Sequence, residues 1–197
     1  MKYDFIEIGT SNFETLIETA SDDIIGISVE PIGFYLDDLP SPAGVKKLKC
    51  AVSRNNLNET LEVYYIPPDV IKEYNLGHCL TGCNSVGGYH FLHVSCGIQQ
   101  FVVRTPVPCI PISQLFEEHD VTELDYLKLD TEGSDCDILL HLYTYLLSQP
   151  ASRYPKKILF ESNELSVPAQ VELIKERFGR LGYRVTGQTL WDTTLEF

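Results

Sequence analysis

The sequence predicts an α/β fold in which helices cover both faces of a mostly parallel β-sheet. Extended runs rich in β-branched and aromatic residues alternate along the chain with runs of helical length. Glycine or proline stops several of the extended runs. The last residues, YRVTGQTLWDTTLEF, are expected to form a β-hairpin, which adds an antiparallel element at one edge of the sheet.

The N-terminal part of the chain supplies three predicted strands. YDFIEIG is a strand that Gly9 stops, and a helix follows in which Ser11 and Glu14 are spaced as a capping box. DIIGISVEP is a second strand ended by Pro31, whose nitrogen cannot donate to a ladder. IGFYLDDLP then forms a short helix or turn, and KKLKCAVS forms the third strand.

Two extended runs in the middle of the chain are expected to pair with each other. TLEVYYIPP ends in two prolines, and QQFVVRTPVPCIPI contains three, which exclude it from the middle of a parallel sheet. We therefore expect the two runs to form an extra edge hairpin. Between them, residues 75–99 are rich in Gly, Cys and His and lack periodicity, which predicts a lid-like loop.

Predicted helices and strands alternate regularly in the C-terminal half of the chain. SQLFEEHD is a short helix, DYLKLD a strand, CDILLHLYTYLLSQ a helix and KKILFES a strand. The helix VPAQVELIKERFGRLG then ends near Gly182. Residues 1–197 are expected to form a single domain, and the start of the first strand at residue 3 suggests excision from a longer polypeptide.

Composition restricts the partners and the compartment. Lys and Arg number 15 against 28 Asp and Glu, a formal net charge of −13, so the chain repels nucleic-acid phosphates and anionic membranes. No apolar run approaches the roughly 20 residues that span a membrane. We expect a neutral or cationic substrate, no nucleic acid and no membrane span.

The six cysteines, with no secretion signal at the N-terminus, predict reduced thiols and a cytoplasmic location. Three of them alternate with histidines as C-x3-C-x6-H-x2-H-x2-C. This spacing matches no common structural zinc site, so we predict no metal there.

The residues that follow the strands are the candidates for binding, because ligands of open α/β sheets lie beyond the carboxyl ends of the strands. Glu30 follows the second strand, where an acid can accept hydrogen bonds from both hydroxyls of a ribose. The first turn has Gly9 but lacks G-x-G-x-x-G, and Glu7 adds a negative charge that disfavours a pyrophosphate. These features favour S-adenosylmethionine (SAM), a cation without phosphates, over the cofactor of an NAD-dependent oxidoreductase.

The stretches DFIEIGTSNF, ISVEP, KCAVS, LDYLKLDTEGSDCDIL and ILFES resemble the FkbM-type SAM-dependent methyltransferases. The resemblance implies the class I methyltransferase fold, a Rossmann-like three-layer sandwich with a seven-stranded sheet and an antiparallel last strand. The first turn of the family usually reads D-x-G-A-N-x-G, and Phe13 replaces its last glycine here.

By the same resemblance, the cofactor would be bound along the strand ends. Glu7 and Gly9 would frame the methionine moiety, Glu30 would hold the ribose, and Asp130 would lie beside the methyl donor. The other predicted cofactor contacts are Ser11, Asn12, Pro31, Ala51, Val52 and Ser53.

The resemblance implies O-methylation of a hydroxyl, most naturally on a sugar or glycan. An alcohol needs a base, for which Asp130 is the first candidate, His90 and His93 are the runners-up and Glu132 is a further candidate. Glu132 could equally shape its own turn, and the histidines could be exposed loop residues. Tyr89, His93 and Glu161 are candidate acceptor contacts. A degenerate, non-catalytic module of a larger glycan-processing enzyme is the alternative.

The remaining acids of this stretch, Asp135 and Asp137, are expected to favour the N-terminus of the following helix through its dipole and to do little else.

Overall fold

Two separate sheets organise the chain in the computed structural model, which describes residues 1–12, 14–53 and 60–197. The strands are β1 (Lys2–Ile8), β2 (Gly26–Val29), β3 (Val45–Leu48), β4 (Ala51–Ser53), β5 (Thr60–Tyr65), β6 (Ser85–Val86), β7 (Val103–Pro111), β8 (Glu123–Leu129), β9 (Lys157–Glu161), β10 (Arg184–Gln188) and β11 (Asp192–Glu196). The helices are α1 (Leu16–Thr19), α2 (Gly33–Asp38), α3 (Pro68–Glu73), α4 (Phe91–Ser95), α5 (Ile112–Glu118), α6 (Asp135–Leu146) and α7 (Pro168–Arg180), with short 3-10 helices at His78–Thr81, Gln99–Phe101 and Ala151–Arg153.

The larger sheet has seven strands in the order β10-β11-β9-β8-β1-β2-β3. Its central strands are parallel, and β11 is antiparallel to both β9 and β10. The predicted mostly parallel sheet and closing hairpin are therefore confirmed. Helices cover both faces, because Phe5 packs with Ile17 and Leu36 on one side while Leu127 packs with Leu139 on the other.

The register of the parallel strands brings four strand ends to one edge. Ile8 of β1 pairs with Val29 of β2 and with Leu129 of β8, which in turn pairs with Phe160 of β9. The residues that follow these positions are Gly9, Glu30, Asp130 and Glu161, so the candidate residues named from the sequence lie along the same edge.

The smaller sheet has the order β4-β7-β5-β6. The antiparallel pairing of β5 with β7 confirms the predicted hairpin. The prediction that this hairpin lies at the edge of a sheet is wrong, since β7 lies between β5 and the parallel strand β4. The prediction that KKLKCAVS forms one strand is also wrong, because this run divides into β3 of the large sheet and β4 of the small one. Cys50 and Val52 join the main core whereas Ala51 joins a second apolar cluster, so β4 is buried between two cores.

The first helix begins later than the sequence predicts. Ser11 and Glu14 have positive φ angles of 46° and 56°, so they form a turn and not a helix start. The capping box is instead made by Thr15 and Glu18, which have the same spacing: the Thr15 backbone N–H donates to the Glu18 carboxylate at 2.8 Å. Phe13 lies outside the described residues.

The segment 75–99 contains a 3-10 helix, β6 and α4, and so differs from the irregular loop that the sequence predicts. Leu80, Cys83 and Ile98 form an apolar cluster with Ile66 and Ile71, which gives the segment a small core of its own. Its role as a lid stays a prediction.

Within the described helices, none is both long and apolar enough to cross a membrane.

Candidate functional site

A cavity of about 280 Å³ lies at the carboxyl edge of the large sheet, near the lower end of the range for small-molecule sites. One wall comes from the ends of β1, β2 and β8, and its residues include Gly9, Thr10, Ser11, Glu30, Pro31 and Asp130. The opposite wall comes from the small sheet and the adjoining segment, with Ala51, Val52, Val63, Gly82, Asn84 and Val86. The cavity is therefore the place where the two sheets meet.

Most predicted cofactor residues line this cavity, whereas none of the three predicted acceptor contacts does. The predicted residues that line it are Gly9, Ser11, Glu30, Pro31, Ala51, Val52, Asp130 and Glu132. Outside its described lining are Glu7, Asn12, Ser53, Tyr89, His90, His93 and Glu161. The functional role of each remains a prediction.

Glu30 is 3% exposed and holds the first turn through backbone hydrogen bonds. The N–H groups of Thr10 and Ser11 donate to Oε2 at 3.1 and 2.8 Å, and the N–H of Ile32 donates to Oε1 at 2.8 Å. Burial raises the pKa of Glu30 to about 7, although these three donors act in the opposite direction.

Asp130 lies at the site because the parallel neighbours β1 and β8 end side by side, with Ile8 opposite Leu129. The Asp130 N–H donates to the carbonyl of Ile8 at 2.9 Å, and Gly9 follows with a φ of +82°. Among the described residues, no hydrogen bond reaches the Asp130 carboxylate. Its side chain is open to the cavity, but the concave surroundings desolvate it and, together with the charges of Asp135 and Glu132, raise its pKa to about 7.

Glu132 and His90 form a hydrogen-bonded pair at the rim of the cavity. His90 Nε2 lies 3.1 Å from Glu132 Oε2, and His90 Nδ1 accepts the Leu92 N–H at 3.2 Å. His90 is 4% exposed and His93 is fully buried, so the alternative that they are exposed loop residues is wrong. His93 Nδ1 accepts the backbone N–H of His90 at 3.3 Å, and burial lowers the pKa of His93 to about 4.

Glu161 and Asp135 lie side by side at the end of β9. Asp135 is fully buried, and its carboxylate accepts hydrogen bonds from the N–H and hydroxyl of Thr131 and from the N–H of Glu161, the last at 2.7 Å. Asp135 does lie in the first turn of α6, as predicted. The prediction that it does little else is wrong, because its hydrogen bonds connect the β8–α6 turn to β9. Burial raises the pKa of Asp135 to about 6 and, with the negative charges of Glu132, Asp135 and Asp130, that of Glu161 to about 8.

One oxygen from each of Asp130, Glu132 and Glu161 lies within 4.8 Å of the others. Such a group could accommodate a cation, since hard cations prefer oxygen ligands. It is the only such group of His, Cys, Asp and Glu side chains found within the described residues, and the Cys/His segment forms none. The absence of a metal from the predicted site stays a prediction.

Glu7 of β1 and Lys128 of β8 form a buried ion pair next to Asp130, which the sequence did not reveal. Lys128 Nζ lies 2.9 Å from Glu7 Oε1 and 3.0 Å from the carbonyl of Glu14, and Glu7 also accepts the Leu16 N–H at 2.9 Å. Burial raises the pKa of the fully buried Glu7, while Lys128 opposes that rise. Burial alone would lower the pKa of Lys128, but the attraction of Glu7 outweighs it and raises that pKa.

Asp192 of β11 was also missed, although it lines the cavity. It pairs with Glu161 across the antiparallel ladder, and burial raises its pKa. A strand order that puts β11 beside β9 is needed to see this contact, and no local signal in TLWDTTLEF indicates it.

The model of the Methyltransferase FkbM domain family matches residues 39–185 of this chain. The chain belongs to the FkbM methyltransferase domain family. The match covers β3 to α7 of this FkbM domain and ends in the first residues of β10; it includes Asp130, Glu132 and Glu161, whereas Gly9 and Glu30 precede it. No match was found among the curated proteins or among the solved structures.

Family membership and the cavity together indicate methyltransferase activity. The FkbM domain presents a desolvated carboxylate, Asp130, at one end of the cavity and a backbone-anchored one, Glu30, at another strand end. Tyr89, in contrast, is 53% exposed and packs edge-on against Tyr64 outside the described lining.

Proposed function

We propose that this FkbM domain transfers a methyl group from SAM to a hydroxyl, most naturally one on a sugar or glycan. The observation that carries the proposal is the shared cavity of Glu30 and Asp130, which follow the two strands on either side of β1. This arrangement suits a ribose at one position and a reacting centre at the other.

The proposal includes a class I methyltransferase fold over residues 1–197 as one domain. The strand order β10-β11-β9-β8-β1-β2-β3 and the antiparallel β11 are consistent with the layout expected from the sequence. No disulfide joins the six cysteines in the described part of the chain, which is consistent with a reducing compartment such as the cytoplasm.

The residues present fit SAM better than a dinucleotide. The Glu30 oxygens accept three N–H groups out of about four lone-pair sites, which leaves acceptor capacity for a ribose hydroxyl. The charged residues in the described lining of the cavity are five acids, Glu14, Glu30, Asp130, Glu132 and Asp192, and one cation, Lys128. Since Lys128 is paired with Glu7, the lining is acidic on balance, which suits a sulfonium and an ammonium better than a pyrophosphate. The helix after the first turn, α1, has only four residues, so it gives a dinucleotide no extended helix N-terminus.

When bound, SAM would supply an electrophilic methyl group. The proton of the acceptor hydroxyl would go to the Asp130 carboxylate as the new oxygen–carbon bond forms and the carbon–sulfur bond breaks. A base with a pKa near 7 is well matched to this task at neutral pH. Pro31, Ala51 and Val52 provide apolar surface beside Glu30, where an adenine ring could be shielded from water.

Calorimetry with SAM and with NADH tests the cofactor, and transfer of a radiolabelled methyl group to a panel of sugars tests the reaction. We expect binding of SAM and label in at least one acceptor. Binding of NADH alone would overturn the proposal. Binding of SAM without transfer to any acceptor would favour the non-catalytic module instead.

A further inference from the structure

We infer that His90 is a positioning residue, which holds Glu132 at the cavity through its Nε2–H and does not itself act as a base. The inference deepens the proposed function and rests on it for the role of the cavity. The hydrogen bonds of the His90 side chain carry it.

The hydrogen-bond pattern fixes the tautomer of His90. A backbone N–H can only donate, so the contact of 3.2 Å from Leu92 N requires a lone pair on His90 Nδ1. The hydrogen of the neutral ring is then on Nε2, which lies 3.1 Å from Glu132 Oε2 and donates to it. Both ring nitrogens are engaged in a side chain that is 4% exposed, so neither is free to take a proton from an acceptor.

Glu132 needs such a restraint for two reasons. Its φ of +54° is in the left-handed region, which a residue with a Cβ seldom adopts. Its carboxylate also lies beside two other carboxyl groups, with oxygens of Asp130 and Glu161 within 4.8 Å. When Asp130 is ionised, as its role as a base requires, repulsion would turn Glu132 away from it unless a donor held Glu132, and His90 is that donor.

The pair connects two parts of the chain that are distant in sequence. His90 is the N-cap of α4, in the segment 75–99, whereas Glu132 belongs to the turn between β8 and α6. The same segment is tied to the first turn, where the Ser11 hydroxyl donates to the carbonyl of Thr81 at 3.1 Å. The placement of Glu132 therefore depends on the docking of this segment against the cavity.

Two variants separate the two hydrogen bonds of His90. In His90→Asn, the amide oxygen takes the place of Nδ1 and still caps α4, but no donor reaches Glu132. In His90→Gln, the amide nitrogen takes the place of Nε2 and still donates to Glu132, but the cap is lost. A merely structural histidine would show the larger defect in His90→Gln, and a positioning histidine would show it in His90→Asn.

The first measurement needs neither cofactor nor acceptor. Long-range ¹H–¹⁵N spectra of the wild type at neutral pH should show the Nε2–H tautomer of His90. The ¹³C resonance of the Glu132 carboxylate should keep its wild-type position in His90→Gln and move in His90→Asn, while the Leu92 amide loses exchange protection only in His90→Gln. An Nδ1–H tautomer, or an unmoved Glu132 resonance in His90→Asn, would overturn the inference.

The second measurement uses methyl transfer to a sugar acceptor at saturating SAM. We expect kcat to fall on the order of 10- to 100-fold in His90→Asn, as for a misplaced charged group beside the base Asp130, and to be largely retained in His90→Gln. Equal losses in both variants would overturn the inference. Wild-type protein that shows the predicted spectra but transfers no methyl group would contradict the proposed function and leave the positioning of Glu132 intact.

Discussion

Gly9 and Asp130 approach so closely that no side chain fits between them: a Cβ on Gly9 would overlap the carbonyl oxygen of Asp130. The Asp130 N–H also donates to the carbonyl of Ile8 at 2.9 Å. The turn after β1 and the candidate base after β8 therefore fix each other's position.

Gly9→Ala tests this approach, with Gly87→Ala as the matched control. Both glycines have a positive φ, +82° and +77°, so both substitutions carry a similar backbone penalty of about 1 kcal/mol. Nothing lies within 4 Å of a Cβ on Gly87. We expect the free energy of unfolding, measured in urea, to fall by about 1–3 kcal/mol more in Gly9→Ala because of the overlap. Equal losses would mean that the two strand ends are not in contact in solution.

Asp130→Asn is expected to lower kcat by about 10²- to 10⁴-fold, the range for loss of a general base. In the wild type, kcat should rise with pH through about 7, since the base must be deprotonated and its pKa is raised to that value. The variant should lack this rise. The exposed Asp69→Asn serves as control and should keep the wild-type rate and pH profile. A wild-type profile in Asp130→Asn would remove Asp130 from the mechanism.

Stability should fall as pH rises from about 4.5 to about 7, in part because of Glu30. Its pKa is raised from 4.5 in the unfolded chain to about 7 in the folded one, so the folded state binds more protons in this window. Its contribution is complete below 4.5 and lost above 7. One such group changes the free energy of unfolding by at most about 1.4 kcal/mol per pH unit.

Glu30→Gln should make that slope shallower, and urea unfolding at pH 5, 6 and 7 measures it. Some slope should remain, because burial also raises the pKa of Asp135 and Glu161, and these groups outnumber His93, whose lowered pKa acts in the opposite direction. Glu172→Gln, on an exposed side chain of α7, should leave the slope as it is in the wild type. An unchanged slope in Glu30→Gln would contradict the raised pKa of Glu30.

Lys128→Met should reduce the free energy of unfolding by about 3–5 kcal/mol, because it leaves the buried Glu7 carboxylate without its cation. Lys2→Met removes an exposed ion pair with Asp125 and should change stability far less, because solvent screens such a pair. The double variant Glu7→Gln/Lys128→Met should recover part of the loss, since the amide oxygen can still accept the Leu16 N–H. No recovery would mean that Lys128 stabilises the fold through contacts other than Glu7.

The strand ends were predictable from the sequence, because the polar residues that follow apolar alternation mark where a parallel strand stops. Gly9, Glu30 and Asp130 were found in this way, and the cavity brings all three together. The first helix shows a limit of local patterns. Ser11 with Glu14 and Thr15 with Glu18 have the same spacing, and only the backbone of the turn decides between them.

Features that depend on strand order were not predictable. Lys128 occupies a polar position in YLKLD that alternation alone assigns to solvent, but β8 pairs with β1 in a register that places it opposite Glu7. The division of KKLKCAVS between two sheets is likewise decided by the two apolar cores on either side of β4. A sequence pattern describes one strand at a time, whereas these features depend on which strands and sheets lie next to each other.

The separation of the two sheets has a practical consequence for engineering. Among the described strands, no ladder joins one sheet to the other, so side-chain packing around Cys50, Ala51 and Val52 sets the distance between the cavity walls. The wall with Glu30 and Asp130 is anchored in the large sheet, whereas Val63 and Val86 belong to the small one. Smaller side chains at Val63 and Val86 should therefore enlarge the cavity for bulkier molecules without disturbing the carboxylates.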